Sequence, residues 1–293
     1  MSNISILCKS YSLDMERAAV MADSVRKFNR DGLPLYISVP RSDLEIFKNR
    51  IGTNDVIWLC DEDIVASNPQ IDMSEYLSLP GLISQQIVKA EFWRVNPNEN
   101  CVCIDSDSRF IRDFFASDFL SPEGNPYTIL YEGKTFLQFC LMNGVQETEL
   151  YFEKMSQEMR EYFGRQGPSY NYNPFPVIWN RKVWAALASN LETNGSNILK
   201  AIVAHPYESS WYGEALLKYQ SVPLLPKEPL FKAYLYLEEY EHDKALGMNE
   251  EILAKFYLGV VYQSNWYPHR LKFWKLRAYK LKRLIKRLRA KPV

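Results

Sequence analysis

Two aspartates stand two residues apart behind a short apolar run: Cys101-Val102-Cys103-Ile104 leads directly into Asp105-Ser106-Asp107. Such a run predicts a buried strand, and the carboxyl ends of strands are where open α/β sheets place their ligands. On an extended backbone, residues two apart project to the same face. Two carboxylates so arranged can grip a hard divalent cation together with a diphosphate that the cation accompanies. The chemistry implied is transfer from an activated, phosphorylated donor. Arg109, close behind, is placed to attract anions. An acidic triplet also occurs in surface turns, so a ligand-free loop cap and a purely structural cation site both stay open on these residues alone.

Other chemistries find less support. No glycines precede Lys9-Ser10 to form a phosphate cradle, which argues against kinase, ATPase and dinucleotide-binding readings. Three histidines, His205, His242 and His269, are too few and too scattered for a histidine-rich metal hydrolase. The five cysteines lack zinc-ligand spacing, and they read as reduced and buried. The N-terminus shows no basic stretch followed by an apolar signal core. No run of 18 apolar residues offers a membrane span. The expected location is cytoplasmic.

The elements that would position the acidic pair follow from periodicity. Strands are expected over 4–8, 35–39, 55–60 and 101–104, with helices over 15–28, 42–49 and 82–93 between them. Asp14 is a candidate cap for the first helix. This alternation predicts a parallel sheet built from βαβ units. Further on, a strand over 128–131, a surface helix over 149–163, a strand over 176–179 and a helix over 181–189 are expected. Residues 164–176 read as a long loop, 216–219 as helical, 222–229 as a linker or sheet edge, and 259–265 as a late strand. With 293 residues the chain can bury the core of one large α/β domain.

Five groups of residues run in a recognisable order over 4–215: Cys8-Lys9-Ser10-Tyr11, Val39-Pro40 with Asp43, Gln85-Gln86-Ile87-Val88-Lys89, Ile104-Asp105-Ser106-Asp107-Ser108, and Glu208 followed by Tyr212-Gly213. In this the sequence resembles nucleotide-sugar glycosyltransferases of the GT-A fold, and more narrowly a bacterial group associated with capsular polysaccharide and O-antigen synthesis. Ala90 and Ser108 depart from the expected pattern, where a larger apolar residue and a threonine would stand, without removing a group the chemistry needs.

The resemblance implies an α/β fold with a mixed, mostly parallel central sheet flanked by helices. It implies a catalytic domain over 1–265, with a nucleotide-binding half at 1–120 and an acceptor-side half at 121–265. It places Lys9, Ser10 and Tyr11 at the base or ribose pocket and Asp43 against the base. Gln86 and Lys89 face the donor sugar or diphosphate. Asp105 meets the ribose or a metal-bound water, Ser106 joins the same set, and Asp107 binds Mn²⁺ or Mg²⁺ directly. Gln263, Ser264 and Asn265 would complete the diphosphate side.

The implied activity is metal-dependent, hexosyltransferase-type transfer from a nucleotide sugar to a saccharide or lipid-linked saccharide. Uridine diphosphate is the commonest carrier in such families. If the anomeric centre inverts, a carboxylate must take the proton of the attacking hydroxyl. Glu208 is the first choice and Glu214 the second, with helix-start capping as the alternative for Glu208. Trp179, Trp211 and Tyr212 either stack on sugar rings or pack the core.

The far end differs from the rest. Eleven Lys and Arg fall between Arg270 and Lys291, and no acid follows Glu251. The whole chain carries 35 basic and 35 acidic residues, so the body is acidic by as much as the tail is basic. Leu271, Trp274, Ala278, Leu281, Ile285 and Leu288 recur at helical spacing and form one stripe among the bases. Such a segment over 266–293 is expected to lie in an anionic membrane surface and not to bind nucleic acid, with docking onto the catalytic domain or a partner helix as the alternative. The protein would then sit on the inner face of the cell membrane. The competing reading is a non-catalytic module of the same fold that tethers partners there.

Overall fold

The computed structural model describes residues 3–142, 146–172 and 175–263. In chain order the strands are β1 (Ile4–Lys9), β2 (Leu35–Val39), β3 (Ile57–Cys60), β4 (Asn100–Asp105), β5 (Ser108–Phe110), β6 (Thr128–Ile129), β7 (Val177–Asn180), β8 (Pro226–Lys227), β9 (Phe231–Tyr234) and β10 (Gly259–Tyr262). The helices are α1 (Met15–Phe28), α2 (Leu44–Ile51), α3 (Asp61–Ala66), α4 (Met73–Ser78), α5 (Gly81–Glu91), α6 (Lys134–Met142), α7 (Gln146–Phe163), α8 (Arg181–Thr193), α9 (Ile198–Ala204), α10 (Glu208–Tyr219), α11 (Leu237–Ala245) and α12 (Glu250–Leu253).

The central sheet runs β3-β2-β1-β4-β7. The first four strands are parallel, and β7 pairs antiparallel with β4. β1 and β2 are buried at every position, as a parallel sheet covered on both faces requires. The alternation of side chains divides the core in two. Leu7, Cys101, Cys103 and Trp179 pack against α5, α8 and α10. Ile4, Ile6, Cys8, Val102 and Ile104 pack against α1 and α2. All five cysteines are buried, and none is in a disulfide. No helix among the described residues is long and apolar enough to cross a membrane.

The second half of the chain returns β7 to the first half's sheet and adds two small sheets. In one, β10 lies between antiparallel β5 and parallel β9; in the other, β6 pairs with β8. Several elements depart from the sequence reading. The helix expected at 216–219 begins earlier, at Glu208, and runs unbroken to Tyr219. Of the two readings of 222–229, linker or sheet edge, Pro226–Lys227 take the second: a two-residue edge strand, which asks little of the backbone. Helices α3, α4, α9, α11 and α12 were not legible; four of them are seven residues or shorter, less than two full turns. Asp14 occupies the cap position of α1 but its side chain makes no capping bond; it pairs with Arg17 instead. The late strand ends at Tyr262. Ser264, Asn265 and the basic tail lie outside the described residues.

Gly213 has a plain steric cause. A Cβ there would lie 2.2 Å from the Tyr172 ring, so the ring packs directly on the α10 backbone.

Candidate active site

Sheet register brings polar residues together at the carboxyl ends of the strands. Ser38 of β2 lies beside Lys9 of β1, and Lys9 lies beside Asp105 of β4. All three fall on the face that carries Leu7 and Cys103, because each is two residues from a core position on that face. Asp61 opens α3 immediately after β3 and joins the row. Its carboxylate accepts a hydrogen bond from the Ser38 hydroxyl at 2.6 Å and lies 3.0 Å from the Lys9 ammonium. Lys9 also donates to the Ser10 carbonyl at 2.8 Å. Burial raises the Asp61 pKa, with Lys9 and Ser38 opposing.

A second ion cluster stands next to the first. Lys89 descends from α5 and donates to Asp105 at 2.6 Å. Glu208, the first residue of α10, approaches the same ammonium to 3.2 Å, and the Phe175 ring lies 4.3 Å beneath it. The Lys89 side chain is 4% exposed. Burial alone would favour its neutral form, but Asp105 and Glu208 outweigh that and hold its pKa well above the usual lysine value.

These residues open onto a cleft of about 590 Å³. Lys9 and Tyr11 enter from the end of β1, Gln85 and Lys89 from α5, and the triplet Asp105-Ser106-Asp107 from the end of β4. The backbone carbonyl of Asp107 accepts from the Tyr262 amide at 3.0 Å. That bond ties the acidic turn to β10, whose next residue, Gln263, also lines the cleft.

The lining is acidic. Asp14, Asp61, Glu62, Asp105 and Asp107 face two lysines, each already paired with one of those aspartates. A diphosphate would be repelled here unless a cation came with it. Hard carboxylate oxygens suit Mg²⁺ or Mn²⁺, and Mg²⁺ is commonly held by one or two carboxylates plus substrate phosphates. Among the described residues no group of three or more His, Cys, Asp or Glu is placed to cage a metal. The donor set therefore fits a cation that shares its shell with a bound diphosphate, and does not fit one held by protein alone.

Lys9, Tyr11, Lys89, Asp105, Ser106 and Asp107, expected from sequence, thus meet at one cleft. Others sit elsewhere. Gln86 is buried beside the cleft with its amide donating to the Leu82 carbonyl, and its neighbour Gln85 faces the cavity. Ser10 is buried beneath the rim; its hydroxyl has no hydrogen-bond partner among the described residues. Asp43 accepts from the Ser12 amide at 2.7 Å and braces the turn that follows Tyr11. Glu208 does not cap α10 and is spent on Lys89. Glu214 is buried and held by Arg165 through two bonds of 2.6 and 2.7 Å, with the Tyr172 hydroxyl donating at 3.0 Å.

Trp179, Trp211 and Tyr212 are core residues, each under 5% exposed. Arg109, expected to attract anions, is paired within the protein: Glu250 accepts from its guanidinium, which lies over the Tyr262 ring. Sequence reasoning missed Asp61 and Glu62. The signal was present, since Asp61 follows a strand end just as Asp105 closes one.

Comparison with known proteins comes to one family. The chain belongs to a family described as a family of unknown function, DUF6492. Its model matches residues 3–281. No curated protein sequence matches this one. Among solved structures, mouse xyloside xylosyltransferase 1 in its apo form aligns with a TM-score of 0.50 and 10% identity, over 89% of this chain and 98% of that one. The apo WbbM bifunctional glycosyltransferase aligns with a TM-score of 0.51 and 11% identity over 98% of this chain; the alignment spans 52% of that protein, about half its length. At such identities the likeness is one of fold: a GT-A-like, mostly parallel sheet flanked by helices.

Proposed function

We propose that this protein is a metal-assisted glycosyltransferase that takes a sugar from a nucleoside diphosphate, with uridine diphosphate as the expected carrier. The observation that supports this most is the single strand-end cleft in which Lys9, Tyr11, Lys89 and the Asp105-Ser106-Asp107 turn meet. The two structural neighbours are both glycosyltransferases by their descriptions, which agrees with the reading.

In this reading Tyr11 offers a ring to the base, and Lys9 and Ser10 shape the pocket beneath it, with Asp43 holding the turn. Asp107, assisted by Ser106 and Asp105, would hold Mn²⁺ or Mg²⁺, which offsets the charge on the departing diphosphate. Lys89 adds a fixed positive charge on the sugar side, oriented by Asp105 and Glu208, with Gln86 buried behind it. For Glu208 to act as general base it must first release Lys89; as arranged, it anchors that lysine. Glu214 would have to break a two-point pair with Arg165. A transfer that needs no enzyme carboxylate at the acceptor hydroxyl therefore suits the geometry better.

The acceptor is a saccharide or lipid-linked saccharide of a bacterial surface polysaccharide, capsule or O-antigen. The enzyme works at the inner face of the cell membrane, with 270–291 as its contact. Direct measurement of uridine diphosphate binding with and without Mn²⁺, on wild type and Asp107→Ala, tests the site. Equal metal-dependent binding by both would remove Asp107 from its role. Metal-dependent binding with no turnover against a broad panel of nucleotide sugars would favour the tethering module, a reading helped by the Lys89–Asp105 pair that already occupies one carboxylate.

A further inference from the structure

We infer that the mouth of this cleft is the face the protein turns toward an anionic bilayer, with Leu77 and Leu82 entering the headgroup layer. The inference rests on the transferase reading for its purpose, not for the contact itself. Leu77 and Leu82 are 65% and 66% exposed, and both line the cleft. They stand at the end of α4 and the start of α5, on either side of a short connection. Tyr11 lines the same opening, and Leu13, 52% exposed, sits in the turn between lining residues Tyr11 and Asp14. One exposed leucine is ordinary. Several around one opening mark a contact surface.

What covers that surface is indicated by where the described chain ends. Gln263 lines the same cleft, and Arg270 is only seven residues further on. Seven extended residues reach at most about 25 Å. Whatever holds the start of the basic segment is therefore held within that distance of the opening. The sequence of 270–291, eleven bases with one apolar stripe and no acid, is that of a segment attracted to anionic headgroups. Glu62, part-exposed on the cleft lining, would repel the same surface, whereas Asp14 is buried and paired with Arg17. The division of labour follows: the tail supplies the attraction, and the leucines supply apolar contact at the opening. A lipid-carried acceptor would then meet the cleft without leaving the bilayer.

The full chain is tested on vesicles of phosphatidylcholine with or without phosphatidylserine. Because the five native cysteines are buried, an environment-sensitive fluorophore on Leu82→Cys reports the rim, and one on Leu246→Cys reports an exposed position after α11 that does not line the cleft. The probe at 82 should brighten and shift to the blue with phosphatidylserine vesicles, and the probe at 246 should not. The double variant Leu77→Ser, Leu82→Ser should partition about tenfold less onto those vesicles, the scale expected for losing part of two leucine contacts. A chain that floats while the probe at 82 stays silent, or responds no more than the probe at 246, overturns the inference. Uridine diphosphate binding is measured in parallel on the wild type. Its absence beside an intact rim response would sink the transferase reading and leave the bilayer-facing rim standing.

Discussion

Two buried charge clusters sit a few side chains apart along α10, and they do different things. At its start, Glu208 holds Lys89, which holds Asp105 at the edge of an open cleft. One turn and a half later, Glu214 holds Arg165 and takes the Tyr172 hydroxyl, closing a cluster with no opening onto that cavity. Both glutamates are about 95% or more buried, and both were candidates for the catalytic base in the sequence, Glu208 first and Glu214 second. Burial and pairing do not separate them. Access does: the Asp105 side chain is 32% exposed, whereas the far partner of Glu214 braces a loop. A buried ion pair is weak evidence of either stability or chemistry until its surroundings are known.

The contrast is broken most directly at the closed cluster. Glu214→Gln removes the charge that Arg165 needs and should cost about 3 kcal/mol in urea unfolding. Nucleotide affinity measured on the folded fraction should stay unchanged. Loss of nucleotide binding at full stability would instead place Glu214 at the site. The next largest effect is the reverse. Asp107→Ala should weaken metal-dependent nucleotide binding by more than about a hundredfold, beyond what losing a mere outer-shell partner costs a metal site. Its unfolding free energy should move by less than about 1 kcal/mol. Glu208→Gln falls between them. It leaves Lys89 with one carboxylate, so we expect a loss of about 1.5–3 kcal/mol in stability, and a raised donor KM that Glu208→Asp partly restores.

The first half of the chain was readable because its signals are local. Apolar runs such as Ile4-Ser5-Ile6-Leu7 and Cys101-Val102-Cys103-Ile104 lie in fully covered parallel strands, where continuous hydrophobicity is itself the mark. Strand ends then put both Lys9 and Asp105 at the carboxyl edge of the sheet; that they stand side by side follows from the pairing of β1 with β4. The second half depends on distant contacts. Gly213 is explained only by Tyr172, forty-one residues earlier, and Arg109 was misread because Glu250 lies 141 residues away. The aromatic residues Trp179, Trp211 and Tyr212 carry both an apolar body and a polar edge, so their types alone did not decide between core and sugar platform. Asp61 was overlooked although it obeys the same strand-end rule: it follows β3 directly, as Asp105 closes β4.

The smallest effect concerns Asp61 and sharpens what a cleft-edge carboxylate costs. Burial lifts its folded-state pKa above that of the unfolded chain, despite Lys9 and Ser38. Between the two values the folded protein binds more protons than the unfolded one, so stability falls as pH rises through that window. The window opens near the unfolded aspartate value of about 4 and closes at the higher folded value. Asp61→Asn has no such group, and it also leaves Lys9 without its partner. Its deficit relative to wild type should therefore be largest at the acid end and shrink as pH rises toward neutrality. Urea unfolding of both proteins across pH 4 to 7 reads this difference. A deficit that grows with pH would mean that attraction to Lys9 exceeds the burial cost, and that this end of the cleft is built to keep a carboxylate charged.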